Sequence, residues 1–226
     1  MPVWRIWTGV RSSGKQFMYA ENFVYAPAIQ KAAEIIAAKK SRILYMKGEE
    51  SLKGSSSAVA GEWAKTGGGT FIRTGTHPLS AILWLKQQEA LASGREIRVQ
   101  SVLADMACVT PGLTAYEHRH IAAKPYDVED TSTCVISFTD GTRAVVIACD
   151  TLLGGSKNYV ELYCNDAALS CTLTLNNLMS SYLLDEDGLT LKGDEVALEG
   201  DIYVNGQELE AYIQDIVYQV LASMMG

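Results

Sequence analysis

Arg73 and His77 stand four residues apart in the stretch GGGTFIRTGTHPL (67–79). In a helix this spacing puts a guanidinium one turn from an imidazole, and Ser80 and Trp84 continue the stripe. The histidine could hold or move a proton, and the arginine could grip a carboxylate or phosphate through two parallel hydrogen bonds. On residue type alone, a lone helical histidine is more often structural or exposed than catalytic, so both readings stand. The other two histidines, His118 and His120, alternate in TAYEHRHIAA. On a strand they would share one face, but no third residue has a telling ligand spacing. Exposed rim histidines and no metal site are expected. The acidic run Asp127-Val128-Glu129-Asp130 reads as solvated charge between a turn and a strand.

Two glycine patterns invite a phosphate. Gly9 to Lys15 matches GxxxxGK, but Gln16 stands where Mg²⁺ ligation wants Ser or Thr, and a strand-like run follows. A turn leading into the strand FMYAE accounts for it better. Gly67 and Gly69 have the first spacing of a dinucleotide fingerprint, but Ile72 occupies the third glycine position. The triple glycine therefore reads as a helix start rather than a phosphate loop.

The elements that must position these residues divide the chain. Pro27 opens a helix in which Ile29, Ala32, Ala33 and Ile36 recur at helical spacing. RILYMKGEE reads as a strand, and a Ser/Gly-rich loop precedes a long helix from about Gly68 to Ala92. On that helix Phe71, Gly75, Leu79, Ile82, Leu83 and Lys86 share a face, and Pro78 is expected to loosen or kink it beside His77. From Glu96 onward Val, Ile, Tyr and Thr dominate, giving strands in EIRVQSVLADMACV, TAYEHRHIAA, TSTCVISF, TRAVVIACD and YVELYCN. Asp140-Gly141, Asp187-Gly188 and Asn205-Gly206 mark tight turns, hence antiparallel hairpins. LEAYIQDIVYQVLASMM forms an amphipathic terminal helix. The expected fold is α+β: one domain over 1–226 with a large, mostly antiparallel sheet and helices on one face.

Composition narrows the function. A formal net charge of −7 and scattered basic residues argue against nucleic acid as a partner. No apolar run approaches the roughly 20 residues of a membrane span, and MPVWRIWTGVR lacks a secretory layout, so a soluble cytoplasmic protein is expected. The five cysteines form no CxxC pair and lie mostly in strand-like runs, as buried reduced thiols.

Several of these segments together resemble one family. GGGTFIRTGTHPLSAILWL is similar to the GGG–x3–D–x3–H helix of the glucose–fructose oxidoreductase / inositol dehydrogenase (Gfo/Idh/MocA) family. YAENFVYAPAIQKAAEII resembles the segment after that family's cofactor domain. DVEDTSTCVISFTDGTRAVV and NYVELYCNDAALSCTL resemble its sheet strands. The likeness covers about residues 10–175, leaving a divergent tail over 192–226. It implies the C-terminal domain alone, without the Rossmann domain that binds NAD or NADP in full-length members. The family's catalytic lysine, in an EKP motif, would precede AENF; Lys124-Pro125 comes too late to replace it.

By the same resemblance His77 matches the catalytic histidine, and Arg73 falls on the family's aspartate, where a guanidinium would hold the imidazole neutral. A later family aspartate is matched by Ser80. The resemblance implies that Asn22 and Tyr25 face the substrate, with Glu21 a lesser candidate. The expected function is the substrate-binding and oligomerisation domain of an NAD(P)-dependent oxidoreductase acting on a sugar-like or anionic hydroxy substrate. Alone it would bind no cofactor. A non-catalytic ligand-binding or dimerisation module of the same fold is the alternative; a nucleotide hydrolase using Gly14-Lys15 is a third class. The sheet face, needing cover, would pair with a second copy as a homodimer or larger oligomer.

Overall fold

The computed structural model describes residues 3–18, 21–153, 156–173, 179–183, 189–192, 203–204 and 207–208. The chain separates into two compact units, Met1–Asp194 and Glu195–Gly226, where the sequence reads as one domain with a divergent tail. In the second unit the described elements are β9 (Tyr203–Val204) and β10 (Gln207–Glu208), which pair antiparallel. The expected terminal helix and the Asp187-Gly188 and Asn205-Gly206 turns lie outside the described residues.

The first unit is built on eight strands: β1 (Ile43–Ser51), β2 (Val99–Ala107), β3 (Thr131–Phe138), β4 (Arg143–Cys149), β5 (Lys157–Cys164), β6 (Ala167–Thr172), β7 (Met179–Leu183) and β8 (Leu189–Lys192). They lie in the order β2-β3-β4-β1-β5-β6-β7-β8, so the early strand β1 sits in the middle. Neighbours are antiparallel except β1 and β4, which run parallel from Tyr45↔Arg143 to Ser51↔Cys149. The α+β reading with a mostly antiparallel sheet therefore holds. Gly141 adopts φ +88°, as the expected β3–β4 hairpin requires.

Two helices cover one face. In α2 (Pro27–Lys39) the expected stripe Ile29, Ala32, Ala33 and Ile36 is buried. In α4 (Thr76–Ser93) the buried face is Pro78, Ala81, Ile82, Leu85, Lys86 and Glu89, rotated from the sequence reading; Leu83 is exposed. A π-helical turn over Phe71–Gly75 precedes α4. Its extra residue per turn shifts the helical phase, and it supplies the loosening expected beside Pro78, which has no N–H to return to the preceding turn. Buried charge completes the shift. Lys86 Nζ donates to Glu89, Asp140 and the Ile43 carbonyl, and Glu89 also receives Arg95, so polar residues occupy core positions as a closed network.

Side chains alternate through β3, β4 and β6, whereas the edge strand β2 is exposed along its whole length. Met46, Val160, Leu162, Ala144, Val146, Cys134 and Ile136 face the helices and form the core. The opposite face is not simply apolar, as the sequence suggested. Lys47 lies 5.6 Å over the Tyr163 ring and 3.8 Å from Glu161, and Tyr45 packs at 6.0 Å from Tyr163, while Val145 and Ile147 of β4 stand opposite Lys47 and Glu49.

Three further expectations change. Val3–Ser13 forms helix α1, so Gly9 is helical and Gly14-Lys15 follows a helix C-terminus, the wrong end for a phosphate. Phe17, Met18 and Glu21 are not in a strand. TAYEHRHIAA is no strand either: Thr114 and Glu117 form a capping box and start the one-turn helix α5 (Ala115–His118). Local side-chain bonds to the backbone won over strand propensity there. Among the cysteines, Cys134 and Cys171 are buried, but Cys108 is exposed; all five are free.

Candidate functional site

The N-terminal end of the α4 segment is built by carboxylates reaching in from elsewhere. Glu129 Oε2 accepts from the Gly69 amide at 2.8 Å and Oε1 from the Phe71 amide at 3.0 Å, while the Thr70 amide donates to the Glu129 carbonyl. These are the donors a phosphate would need, and they are taken. A Cβ on Gly69 would lie 1.8 Å from the Glu129 carbonyl oxygen, which is why glycine stands there. Asp127 likewise accepts from the Trp63 amide at 2.6 Å, at the start of α3 (Trp63–Thr66). Asp130, fully buried, accepts from the amides of Val109 and Thr110 and from the Thr110 hydroxyl. The acidic run is thus a set of backbone anchors, with Asp130 buried, Glu129 half-buried and Asp127 exposed, rather than solvated charge alone. Its members are spaced for different partners, a pattern no local sequence rule reveals.

Beyond this anchor, Arg73 and His77 part company. The Arg73 guanidinium pairs with Asp150, at the end of β4, which is almost fully buried. Burial pushes the Asp150 carboxyl above the ordinary range, and Arg73 pulls it back only partly. Arg73 Nε and Asp150 Oδ1 are buried without hydrogen-bond partners.

His77 is held by Glu21 instead. Its Nδ1 lies 2.8 Å from Glu21 Oε1 and 3.0 Å from Oε2, and its ring stacks on Phe23 at 4.8 Å between centroids. A carboxylate is therefore the hydrogen-bond partner of the imidazole, where the sequence placed only a guanidinium one turn away. Glu21 Oε1 also accepts from the Phe23 amide at 3.1 Å, fixing the 3-10 turn Phe23–Tyr25 that carries the stacked ring. Glu50 joins them from β1, on the helix side by alternation from Met46 and Gly48. Desolvation raises its carboxyl to about 6, with His77 pulling it down and Glu21 pushing it up. One oxygen of Glu50 is buried without a hydrogen-bond partner.

Asn22 and Tyr25 flank the Phe23 ring in sequence and are both exposed; the Tyr25 amide donates to the Asn22 carbonyl at 3.0 Å. Ser80 lies on the partly buried side of α4. A cavity of about 660 Å³ opens beyond the ends of β1 and β4, lined by Leu52, Lys53, Gly54, His120, Leu152, Leu153 and Ser156. Leu52 is two residues past Glu50 and Leu152 two past Asp150, because the parallel pair β1–β4 brings both strand ends to one side. His120 accepts from Arg119 Nε at 2.8 Å. Among the described residues no group of three or more His, Cys, Asp or Glu could hold a metal. No described helix is long and apolar enough to cross a membrane.

A family model, the GFO/IDH/MocA C-terminal domain, matches residues 30–170, well over half of the chain. The chain belongs to this family. The match runs from α2 through the helix bearing His77 to β6, which includes the residues around Glu50 and Asp150 but begins after Glu21. No curated protein matches the chain. Solved structures share its fold. One is an NAD binding oxidoreductase from Klebsiella pneumoniae, with TM-score 0.62 and 18% identity over 83% of this chain and 49% of that one. Another is an inositol dehydrogenase homolog from Azotobacter vinelandii complexed with NADH and myo-inositol, at TM-score 0.60 and 12% identity over 84% and 45%. A third is levoglucosan dehydrogenase with NADH and levoglucosan, at TM-score 0.59 and 18% identity over 78% and 46%. The chain spans about half the length of these structures.

The glycine-rich segment of this family member does not fit a pyrophosphate, because its amides at 69 and 71 are satisfied by Glu129, and the described residues include no alternating βαβ unit of Rossmann type. The arrangement can instead position an imidazole beside two carboxyl groups.

Proposed function

We propose that the chain is the substrate-side and assembly domain of an NAD(P)-dependent oxidoreductase, not competent by itself for hydride transfer. The observation that carries this reading is the His77 ring. It is 32% exposed, yet anchored at Nδ1 by Glu21 and on its face by Phe23. A proton acceptor needs that combination of fixed orientation and an open edge. His77 is placed to take the hydroxyl proton of a carbinol, and a nicotinamide, were one held against the substrate by another domain, would supply the hydride acceptor.

Arg73 is already paired with Asp150, so gripping an anionic substrate would require breaking that pair. A neutral, sugar-like polyol is therefore favoured over an anionic hydroxy acid. The exposed Asn22 and Tyr25, next to the Glu21 and Phe23 that hold the ring, are the proposed substrate contacts. The open sheet face, with Tyr45, Lys47, Tyr163, Val145 and Ile147, is the proposed contact with a second copy.

Titrating the chain with myo-inositol and with gluconate, by calorimetry, tests the substrate assignment. Saturable binding of the polyol, weakened at least tenfold in His77→Asn, is expected. Binding indifferent to that change would leave the alternative, a ligand-binding or dimerisation module of the same fold without a catalytic histidine. Cofactor is tested separately: NADH fluorescence should show no saturable binding to this chain. Light scattering at micromolar concentration should give a dimer or larger; a monomer would overturn the sheet-face assignment.

A further inference from the structure

We infer that Glu21 is the positioning residue for His77: its carboxylate holds the proton on Nδ1 and so makes Nε2 the working atom of the site. This deepens the function proposed above and rests on it for its biological meaning, but the geometry stands independently. A buried carboxylate must be satisfied by donors, and Glu21 is 7% exposed. The donors that reach it include the Phe23 amide at 3.1 Å and His77 Nδ1 at 2.8 Å. Because an ionised carboxylate only accepts, the Nδ1 position must carry a hydrogen. The neutral imidazole then has its lone pair on Nε2, which makes no hydrogen bond among the described residues.

Four features make the arrangement specific. Glu21 lies 56 residues before His77, so the bond ties the turn ahead of α2 to the start of α4. The same oxygen that meets Nδ1 fixes the turn carrying Phe23, whose ring stacks on the imidazole and blocks its rotation. Arg73, one turn before His77, is withdrawn to Asp150. Glu50, the other carboxyl near the ring, has a buried oxygen with no hydrogen-bond partner. The two carboxyls therefore differ in role: Glu21 orients the ring, while Glu50 is the one whose charge the site suppresses.

Imidazole ¹⁵N correlation spectra of the full chain test this without substrate or cofactor. At a pH where His77 is neutral, the wild-type ring should be mainly the Nδ1–H tautomer. Glu21→Ala should reverse the majority to Nε2–H, the form that free histidine side chains prefer. Glu21→Gln should retain Nδ1–H, because its amide oxygen still accepts. A wild-type ring that is mainly Nε2–H would overturn the inference outright, even if a variant failed to fold. So would an unchanged tautomer in a folded Glu21→Ala protein. Failure of polyol binding would remove the proposed function yet leave the tautomer result intact.

Discussion

Glu129 closes the start of the long helix by accepting the Gly69 amide at 2.8 Å, with its own carbonyl so near that a methyl on residue 69 would overlap it. The glycine run and the acidic run, some sixty residues apart, are one device. It sets where the π-helical turn begins and hence where Arg73 and His77 point.

That device should be measurable in stability. Glu129→Ala removes two amide caps and should cost about 1–2 kcal/mol, the usual range for lost helix caps. Gly69→Ala forces backbone apart and should cost more than Glu129→Ala. Thermal melts of the two variants check both, with each kcal/mol lowering Tm by about 2–4 °C. Equal, negligible shifts would show that the cap does not hold the helix start.

The Arg73–Asp150 pair predicts an asymmetric response to mutation. Arg73→Ala leaves a buried carboxylate without its counter-charge, which typically costs about 3–5 kcal/mol. Asp150 already has its carboxyl raised by burial, and losing Arg73 raises it further. A raised carboxyl contributes stability below its unfolded value of about 4 and loses it as pH climbs through the folded value. The destabilisation of Arg73→Ala should therefore be larger at pH 7 than at pH 4. Arg73→Met/Asp150→Leu should recover much of it. Denaturant midpoints at the two pH values decide the matter; a pH-independent loss would indicate packing rather than charge.

Glu50 should behave as a neutral-pH titrating group. Its folded carboxyl is raised to about 6, chiefly by burial. Protonated Glu50 thus favours the fold below pH of about 4.5, and that advantage disappears as pH rises through about 6. Glu50→Gln, which resembles the protonated form, should match wild type near pH 4.5. At pH 8 it should be more stable by about 1 kcal/mol, since partial exposure tempers the charge cost. Melts across this range that show no crossover would contradict the assignment.

Asn22 and Tyr25 separate binding from folding. Both are exposed, so Asn22→Ala and Tyr25→Ala should each change stability by less than about 0.5 kcal/mol. If they contact substrate, polyol affinity should fall several-fold in each. Unchanged affinity would remove them from the site.

The sequence by itself determined most of the local structure. Pro27 with Ile29, Ala32, Ala33 and Ile36 specified α2, and Asp140-Gly141 specified a hairpin, because caps, positive-φ glycines and side-chain periodicity act over a few residues. It also carried the family likeness, through motifs in a fixed order, and His77 as the residue to watch. It misplaced TAYEHRHIAA, where a capping box outweighed β-branched and aromatic content, and the face of α4, where a π turn and a buried Lys86–Glu89–Asp140 network shifted the phase. Only the tertiary structure decided the partners of the charged groups: Glu21 for His77, Asp150 for Arg73, and Glu129 for the glycine amides. Those pairings join residues 56 to 77 positions apart. Electrostatic attraction between buried groups depends on distance in space and on exclusion of water, and neither is written in the local spacing of a chain.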